Sequence, residues 1–275
     1  MTSPPTSPSK AEGAVELAFE RRAERAALLA HEPGSAQAVL RFASGLYRAQ
    51  AGLAGLIVRA HGRRALGGAW AQDADAFAEA ARDVLRFAAD SGPAELAETA
   101  RARLRELPEG LAARLSQFWN GEGAGAGDYL SRAVVRPYVE VLAALKVQPQ
   151  RPRSPSSCPF CGGAPWIAAR RAAADGEGAQ RYLGCALCGG EWVANRIRCS
   201  ACSEEDPRKL PCFQSEQHAA VRIEACESCH HYVKSIDLTV DARLIPEVDD
   251  LVSLALDLWA HEAGFTRTEP GLAGL

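Results

Sequence analysis

Cys158-Pro-Phe-Cys161, Cys185-Ala-Leu-Cys188, Cys199-Ser-Ala-Cys202 and Cys226-Glu-Ser-Cys229 are four C-x-x-C pairs whose spacing decides how the second half of this chain folds. Between Cys161 and Cys185 there are 23 residues, between Cys202 and Cys226 there are 23 again, and 10 residues separate the two blocks. Two residues between cysteines let both thiolates of one tight turn reach a single ion, and two such turns complete a tetrahedral shell of four sulfurs. The repeated spacing therefore predicts that each block closes on its own ion, with the intervening chain running out and back as a hairpin. Gly162 and Gly189, each just after a pair, suit a turn whose backbone N–H groups bend toward sulfur.

Four thiolates suit iron and zinc alike, so the expected cofactors are two tetrahedral four-thiolate ions, iron or zinc. A closed shell leaves no position for substrate, which argues against metal-assisted hydrolysis; iron there could carry one electron and zinc could not. Redox disulfides fit less well, because a thioredoxin-type pair opens a helix, whereas Pro159 follows Cys158 and no helical pattern follows Cys161. Cys226 to His230 matches the short c-type haem signature, but haem attachment requires export and would orphan Cys199 and Cys202. Unpaired Cys212 reads as a small packing residue. His218, His230 and His231 read as surface groups or neighbours of the ligands.

The 275 residues are 47% hydrophobic and 24% charged, the balance of a folded soluble chain. A formal net charge of −3 supplies no electrostatic reason for a nucleic-acid or anionic-membrane partner. The Ser-, Thr- and Pro-rich start lacks the apolar core of a signal peptide, and no apolar run reaches the ~18 residues needed to span a bilayer. The expected location is the cytoplasm, where thiols stay reduced and paired cysteines mean metal more often than disulfide. All nine cysteines follow residue 157.

Outside the cysteine blocks the chain divides by composition. Residues 1–13 read as a disordered tail and 14–147 as an α-helical bundle, rich in Ala, Leu, Arg and Glu at helical period. Helices are expected over 15–30, 36–60, 73–89, 94–107, 109–119 and 129–145. In the second, Leu40, Ala43, Tyr47, Ala51, Ala54 and Val58 share one face. The glycine-rich residues 121–127 read as a flexible connection. Residues 148–157 form a Pro-rich, extended linker. The first four-cysteine module is placed at 158–197 and the second, with a C-terminal helix, at 198–267. Short strands are expected over 164–169, 191–197 and 219–224. In the last helix Asp249 and Asp250 act as caps, and Leu251, Leu254, Ala255, Leu258 and Ala263 form the buried face. The fold class is α+β: an N-terminal all-α bundle, two tandem rubredoxin-like or zinc-ribbon modules, and a C-terminal helix.

Several runs carry a resemblance: Cys158-Pro-Phe-Cys-Gly-Gly-Ala-Pro165, Arg181-Tyr-Leu-Gly-Cys-Ala-Leu-Cys188, Glu191-Trp192, and Arg196 to Cys202. With Glu224-Ala-Cys-Glu-Ser-Cys229, Tyr232-Val-Lys234, Asp249 to Asp257 and Glu262 to Arg267, they resemble the formate dehydrogenase formation protein family, FdhE, over about 157–267. The resemblance implies a cytoplasmic accessory protein without catalytic turnover, a maturation chaperone needed for active molybdenum- or tungsten-dependent formate dehydrogenase. Its implied partner is the catalytic subunit of that enzyme, with neither nucleic acid nor membrane insertion involved. The second block departs in having Ser203 and His230 where the first has glycines.

On this reading Cys158, Cys161, Cys185, Cys188, Cys199, Cys202, Cys226 and Cys229 hold metal as rigid cross-links. The residues beside them, Arg181, Tyr182, Glu191, Trp192, Arg196, Glu224, Tyr232 and Lys234, are the candidate partner surface. Three other functions compete: a rubredoxin-like one-electron carrier, a nucleic-acid-binding zinc ribbon, and a thiol oxidoreductase. Arg151, Arg153, Arg170 and Arg171 offer the nucleic-acid reading only scattered charge.

Overall fold

The computed structural model describes residues 8–34, 36–122, 128–173 and 178–274. Seven α-helices precede the first metal block: α1 (Pro8–Leu29), α2 (Gln37–Arg63), α3 (Trp70–Asp73), α4 (Ala78–Ser91), α5 (Ala94–Arg105), α6 (Pro108–Asn120) and α7 (Tyr129–Leu145). Helix α1 starts at Pro8, so residues 8–13 are helical rather than part of a disordered tail; proline fits the first turn, where its missing N–H has no partner to lose. The rest of the expected tail, and residues 123–127 of the expected flexible connection, lie outside the described residues. The chain forms two compact units. One ends at Glu24 and resumes over Phe42–Pro152; the other takes Arg25–Arg41 and everything from Arg153 onward.

The expected stripe of α2 is buried throughout, from Leu40 to Val58. The expected third helix starts later, because Phe77 leaves helical geometry and separates α4 from the short α3. Helix α7 is buried on all sides from Leu130 to Leu142, as a central helix must be. Pro137 inside it removes the N–H that would bond the carbonyl of Ala133, and the Gln50 amide on α2 supplies the missing donor at 2.8 Å. Trp70, Phe77, Trp119 and Tyr138 pack as one aromatic cluster with ring centroids 5.3–5.9 Å apart. The first half of the expected linker is pinned here: the Trp119 indole donates to the Gln150 carbonyl at 2.9 Å, and the Arg151 guanidinium stacks 5.0 Å over the Trp119 ring.

The second unit is built on one seven-stranded sheet. Its strands are β1 (Pro165–Ala172), β2 (Ala179–Cys185), β3 (Glu191–Val193), β4 (Cys212–Gln214), β5 (Val221–Ala225), β6 (His231–Asp237) and β7 (Thr266–Arg267). The order β3-β2-β1-β6-β5-β4, with β7 on β6, places the two blocks head to tail. Each contributes three antiparallel strands, and the blocks join where β1 pairs in parallel with β6, Ile167 opposite Lys234 and Arg170 opposite Asp237. Two modules expected in tandem thus share a single sheet.

Cross-strand pairing gives this sheet two distinct faces. One carries Ala168, Arg170, Arg181, Leu183, Cys212, Arg222, Glu224, Val233 and Ser235; the other carries Ile167, Tyr182, Ile223, Tyr232 and Lys234. The end of the chain folds as α8 (Pro246–Asp249), a 3-10 turn over Asp250–Ser253, and α9 (Leu254–Glu262). Ala260 of α9 packs with Ile223, Ala225 and Tyr232, flanked by Phe213, Leu256 and Phe265.

This C-terminal segment buries Leu251 as expected but otherwise departs from the expected apolar face. Asp250, Leu251, Ser253, Asp257 and Ala260 are buried, whereas Ala255, Leu258 and Ala263 are exposed and Leu254 is half-buried. The reason is electrostatic. The Lys234 ammonium points out of β6 into this segment, fully buried, and lies 2.8 Å from Asp250 and 2.5 Å from Asp257. Arg267 reaches the same two carboxylates at 3.0 and 3.2 Å, and the Tyr232 hydroxyl donates to Asp257 at 2.8 Å. Two cations and two anions close this buried set without surplus, as buried charges require. Asp249 is no simple cap either: it accepts from Arg25 and from the Ile245 N–H at 2.7 Å.

Candidate metal centres

Each C-x-x-C pair folds into the same closed turn. In all four, the N–H of the first cysteine donates to the carbonyl five residues on: Cys158 to Gly163, Cys185 to Gly190, Cys199 to Glu204 and Cys226 to His231, at 2.8–2.9 Å. The residue after the second cysteine donates back to the first, from Gly162, Gly189, Ser203 and His230 at 2.9–3.2 Å. That residue has positive φ in every case: 72° at Gly162, 65° at Gly189, 66° at Ser203 and 55° at His230. The second block therefore reaches glycine geometry without glycine, and its turns match those of the first.

The turns aim donors at sulfur. Gly163 N–H points to Cys161 Sγ at 3.4 Å, Leu187 N–H to Cys185 Sγ at 3.3 Å and Ala201 N–H to Cys199 Sγ at 3.4 Å. Such bonds favour thiolate over thiol. Gly163 has no room for a side chain, since a Cβ there would lie 2.7 Å from Cys185 Sγ.

Two sets of four sulfurs result: Cys158, Cys161, Cys185 and Cys188, and Cys199, Cys202, Cys226 and Cys229, each with all ligand atoms within 4.8 Å of one another. Facing sulfurs lie 3.7 Å (Cys158–Cys188) and 3.4 Å (Cys161–Cys185) apart in the first set, and 3.7 Å (Cys199–Cys229 and Cys202–Cys226) in the second. A tetrahedral ion with metal–sulfur bonds of about 2.3 Å separates its sulfurs by about 3.8 Å, so both sets fit a four-thiolate metal. Hydrogen bonding to Cys158 raises the thiols of Cys161 and Cys188, and burial raises that of Cys185. A cation that takes these sulfurs must displace their protons, so its affinity grows with pH.

The two sites differ in exposure. All four sulfurs of the first are buried; in the second Cys202 is exposed and Cys229 half-buried. Glu204 bridges the second pair of turns, accepting from the Ser228 hydroxyl at 2.6 Å. That bond and the Asp206 N–H draw its carboxyl down to about 2.

Residues 157–196 match the family described as "FdhE, central domain", and 197–273 match "FdhE, C-terminal domain". The chain is similar to the FdhE homolog of Aquifex aeolicus, 36% identical over 117 residues that cover 42% of this chain and 41% of that protein. It is likewise similar to the homolog of Pseudomonas putida, 32% identical over 165 residues covering 58% and 52%. The crystal structure of the FdhE protein from Pseudomonas aeruginosa aligns with a TM-score of 0.63 at 27% identity, over 92% of this chain and 94% of that one. Residues 157–273 of this chain are thus two FdhE domains. The chain spans about half the length of the curated FdhE relatives it matches.

Within these FdhE domains the expected partner residues separate. Arg181, Tyr232 and Lys234 are buried. Lys234 and Tyr232 belong to the charge set behind the sheet, while Arg181 donates to Glu224 at 2.8 Å and to the Asn195 carbonyl at 3.0 Å. Glu224 also accepts from Arg222 at 2.6 Å. Burial alone would raise the Glu224 carboxyl, but the two guanidinium groups outweigh it and hold it below the usual range. Trp192 is half-buried against Ala168, Leu183 and Val233, and Tyr182 is half-buried with its hydroxyl on Gln180. Glu191 pairs with Arg171 at 3.0 Å, and Arg196 is exposed. Arg198 and Arg222, absent from the expected set, line a cleft beside Cys199. Their only sequence signal was adjacency to a ligand and strand alternation with Glu224. Among the described residues no helix is long and apolar enough to cross a membrane.

Proposed function

We propose that this protein is a cytoplasmic accessory protein for formate dehydrogenase, binding its catalytic subunit during maturation without turnover of its own. The carrying observation is the pair of four-sulfur sites within domains of the FdhE family. Iron or zinc, held by the eight cysteines, cross-links the four turns and couples their folding to metal binding. Each ion closes its shell with protein sulfur, which suits a scaffold better than a hydrolytic centre.

The test is capture of the tagged catalytic subunit by the full chain, with elemental analysis of the same preparation. Cys→Ala at Cys161 or Cys226 lowers metal content and capture together. Capture that survives loss of both ions would refute the scaffold role. A rubredoxin-like electron carrier is the second reading, favoured by exposure of Cys202; it requires a red, reversibly bleached iron form.

A further inference from the structure

We infer that the cleft between the two metal modules binds an extended acidic segment of a partner protein, its carboxylates on Arg196 and Arg198 and an apolar side chain beside Trp192. The partner's identity as the client enzyme rests on the function proposed above; the chemistry of the cleft does not.

Two adjoining cavities of about 130 and 250 Å³ make the cleft, and both are lined by Arg181, Arg198, Cys199 and Ser200. The smaller adds Arg196 and Arg222, and its single carboxylate is Glu224. That carboxylate is already engaged, by Arg181 at 2.8 Å and by Arg222 at 2.6 Å. Among the described residues Arg198 pairs only with Glu205, at 3.6 Å, with both side chains about half exposed, a pair that solvent screens to little effect. Among the described residues no carboxylate is ion-paired with Arg196. Two guanidinium forks therefore face the cleft with their preferred ligand, a carboxylate, to be supplied from outside.

The larger cavity supplies the apolar half of the specificity. Leu183, Trp192 and Ala194 line it on one face of the sheet, and Trp192 and Ala194 are only half-buried there. Val193 ends β3, an edge strand that pairs with β2 on one side and with no described strand on the other. An edge of this kind accepts an extended chain through backbone hydrogen bonds. A free oxyanion would use the arginines and leave the apolar wall and strand edge idle. Nucleic acid would need a longer basic stripe than two exposed arginines on a chain of net charge −3.

The test uses the metal-loaded full chain and a short fluorescent peptide of alternating glutamate and valine. A lysine–valine counterpart, inorganic phosphate and a single-stranded DNA oligomer are the comparison probes. The glutamate peptide is expected to bind in a salt-sensitive manner and the lysine peptide not to. R196E/R198E is expected to weaken binding about tenfold or more, the scale of losing charge-assisted hydrogen bonds, with metal content unchanged. Arg243→Glu, outside the cleft, leaves binding intact. If the charge reversal impairs folding, R196Q/R198Q carries the same prediction.

Equal binding of the two peptides, insensitivity to the arginine variants, or occupancy by phosphate or DNA in place of the peptide overturns the inference. So does loss of metal together with binding, which would assign the arginines to balancing thiolate charge. Capture of formate dehydrogenase undiminished in R196E/R198E removes the client from the cleft and leaves the accessory role standing. Peptide binding without any capture of that enzyme does the reverse.

Discussion

Arg181 on β2 donates from Nε to Glu224 on β5 at 2.8 Å, so one ion pair joins the first metal module to the second. The two strands are not neighbours in the sheet; β1 and β6 run between them. Arg181 is 4% exposed and Glu224 16%, and the parallel β1–β6 pairing beneath them is the seam that the pair closes. The site thus depends on how the modules are joined as well as on the turns that hold each ion.

Acid should loosen this seam. Glu224, held below the usual range by Arg181 and Arg222 against burial, and Asp250, held down by Arg267 and Lys234 against burial, release protons more readily folded than unfolded. Their contribution is present above the unfolded values of about 4 and is lost as pH falls through the lower folded values. Denaturation midpoints measured below about pH 4 should fall less steeply for Glu224→Gln than for the parent. The variant itself should be less stable at neutral pH. A parallel pH profile would contradict the pairing.

The positive-φ turns make a local prediction. Ser203→Gly and His230→Gly should each stabilise the metal-loaded protein by about 1 kcal/mol, because glycine relieves the left-handed strain. Gly162→Ala should cost a similar amount. Chemical denaturation at fixed metal concentration reads both signs.

Exposure should separate the two ions. Cys202 is open to solvent while all four ligands of the first site are buried. Alkylation of the metal-loaded chain, mapped by mass spectrometry over time, should modify Cys202 before any first-site cysteine. A chelator should remove one equivalent well ahead of the other. Simultaneous loss of both ions would show that the sites open as one.

Lys234→Met should be among the most damaging single changes outside the ligands. It leaves Asp250 and Asp257 buried with Arg267 as their one remaining cation, and breaking a buried charge set costs about 3–5 kcal/mol. Thermal melting of the metal-loaded protein checks it. A loss below about 1 kcal/mol would mean that solvent reaches the cluster.

In the helical unit, Gln50→Leu should cost about 1–3 kcal/mol by leaving the Ala133 carbonyl without a donor beside Pro137. Urea denaturation measures the loss directly.

The amino-acid sequence alone determined the eight clustered cysteines and their division into two sets, because a C-x-x-C turn is local and its partner lies one hairpin away. It also determined the apolar stripe of α2, which needs only helical period. Tertiary structure decided the rest. The β1–β6 pairing joins segments 67 residues apart, as in Arg170 with Asp237, and no local pattern specifies such a partner. Lys234, expected on a partner surface, instead meets Asp257 in the interior, and α9 buries Asp257 and Ala260 while Ala255 and Leu258 face outward. A charge is buried or exposed according to what the fold brings to meet it, and the distance along the chain conceals that until the fold exists.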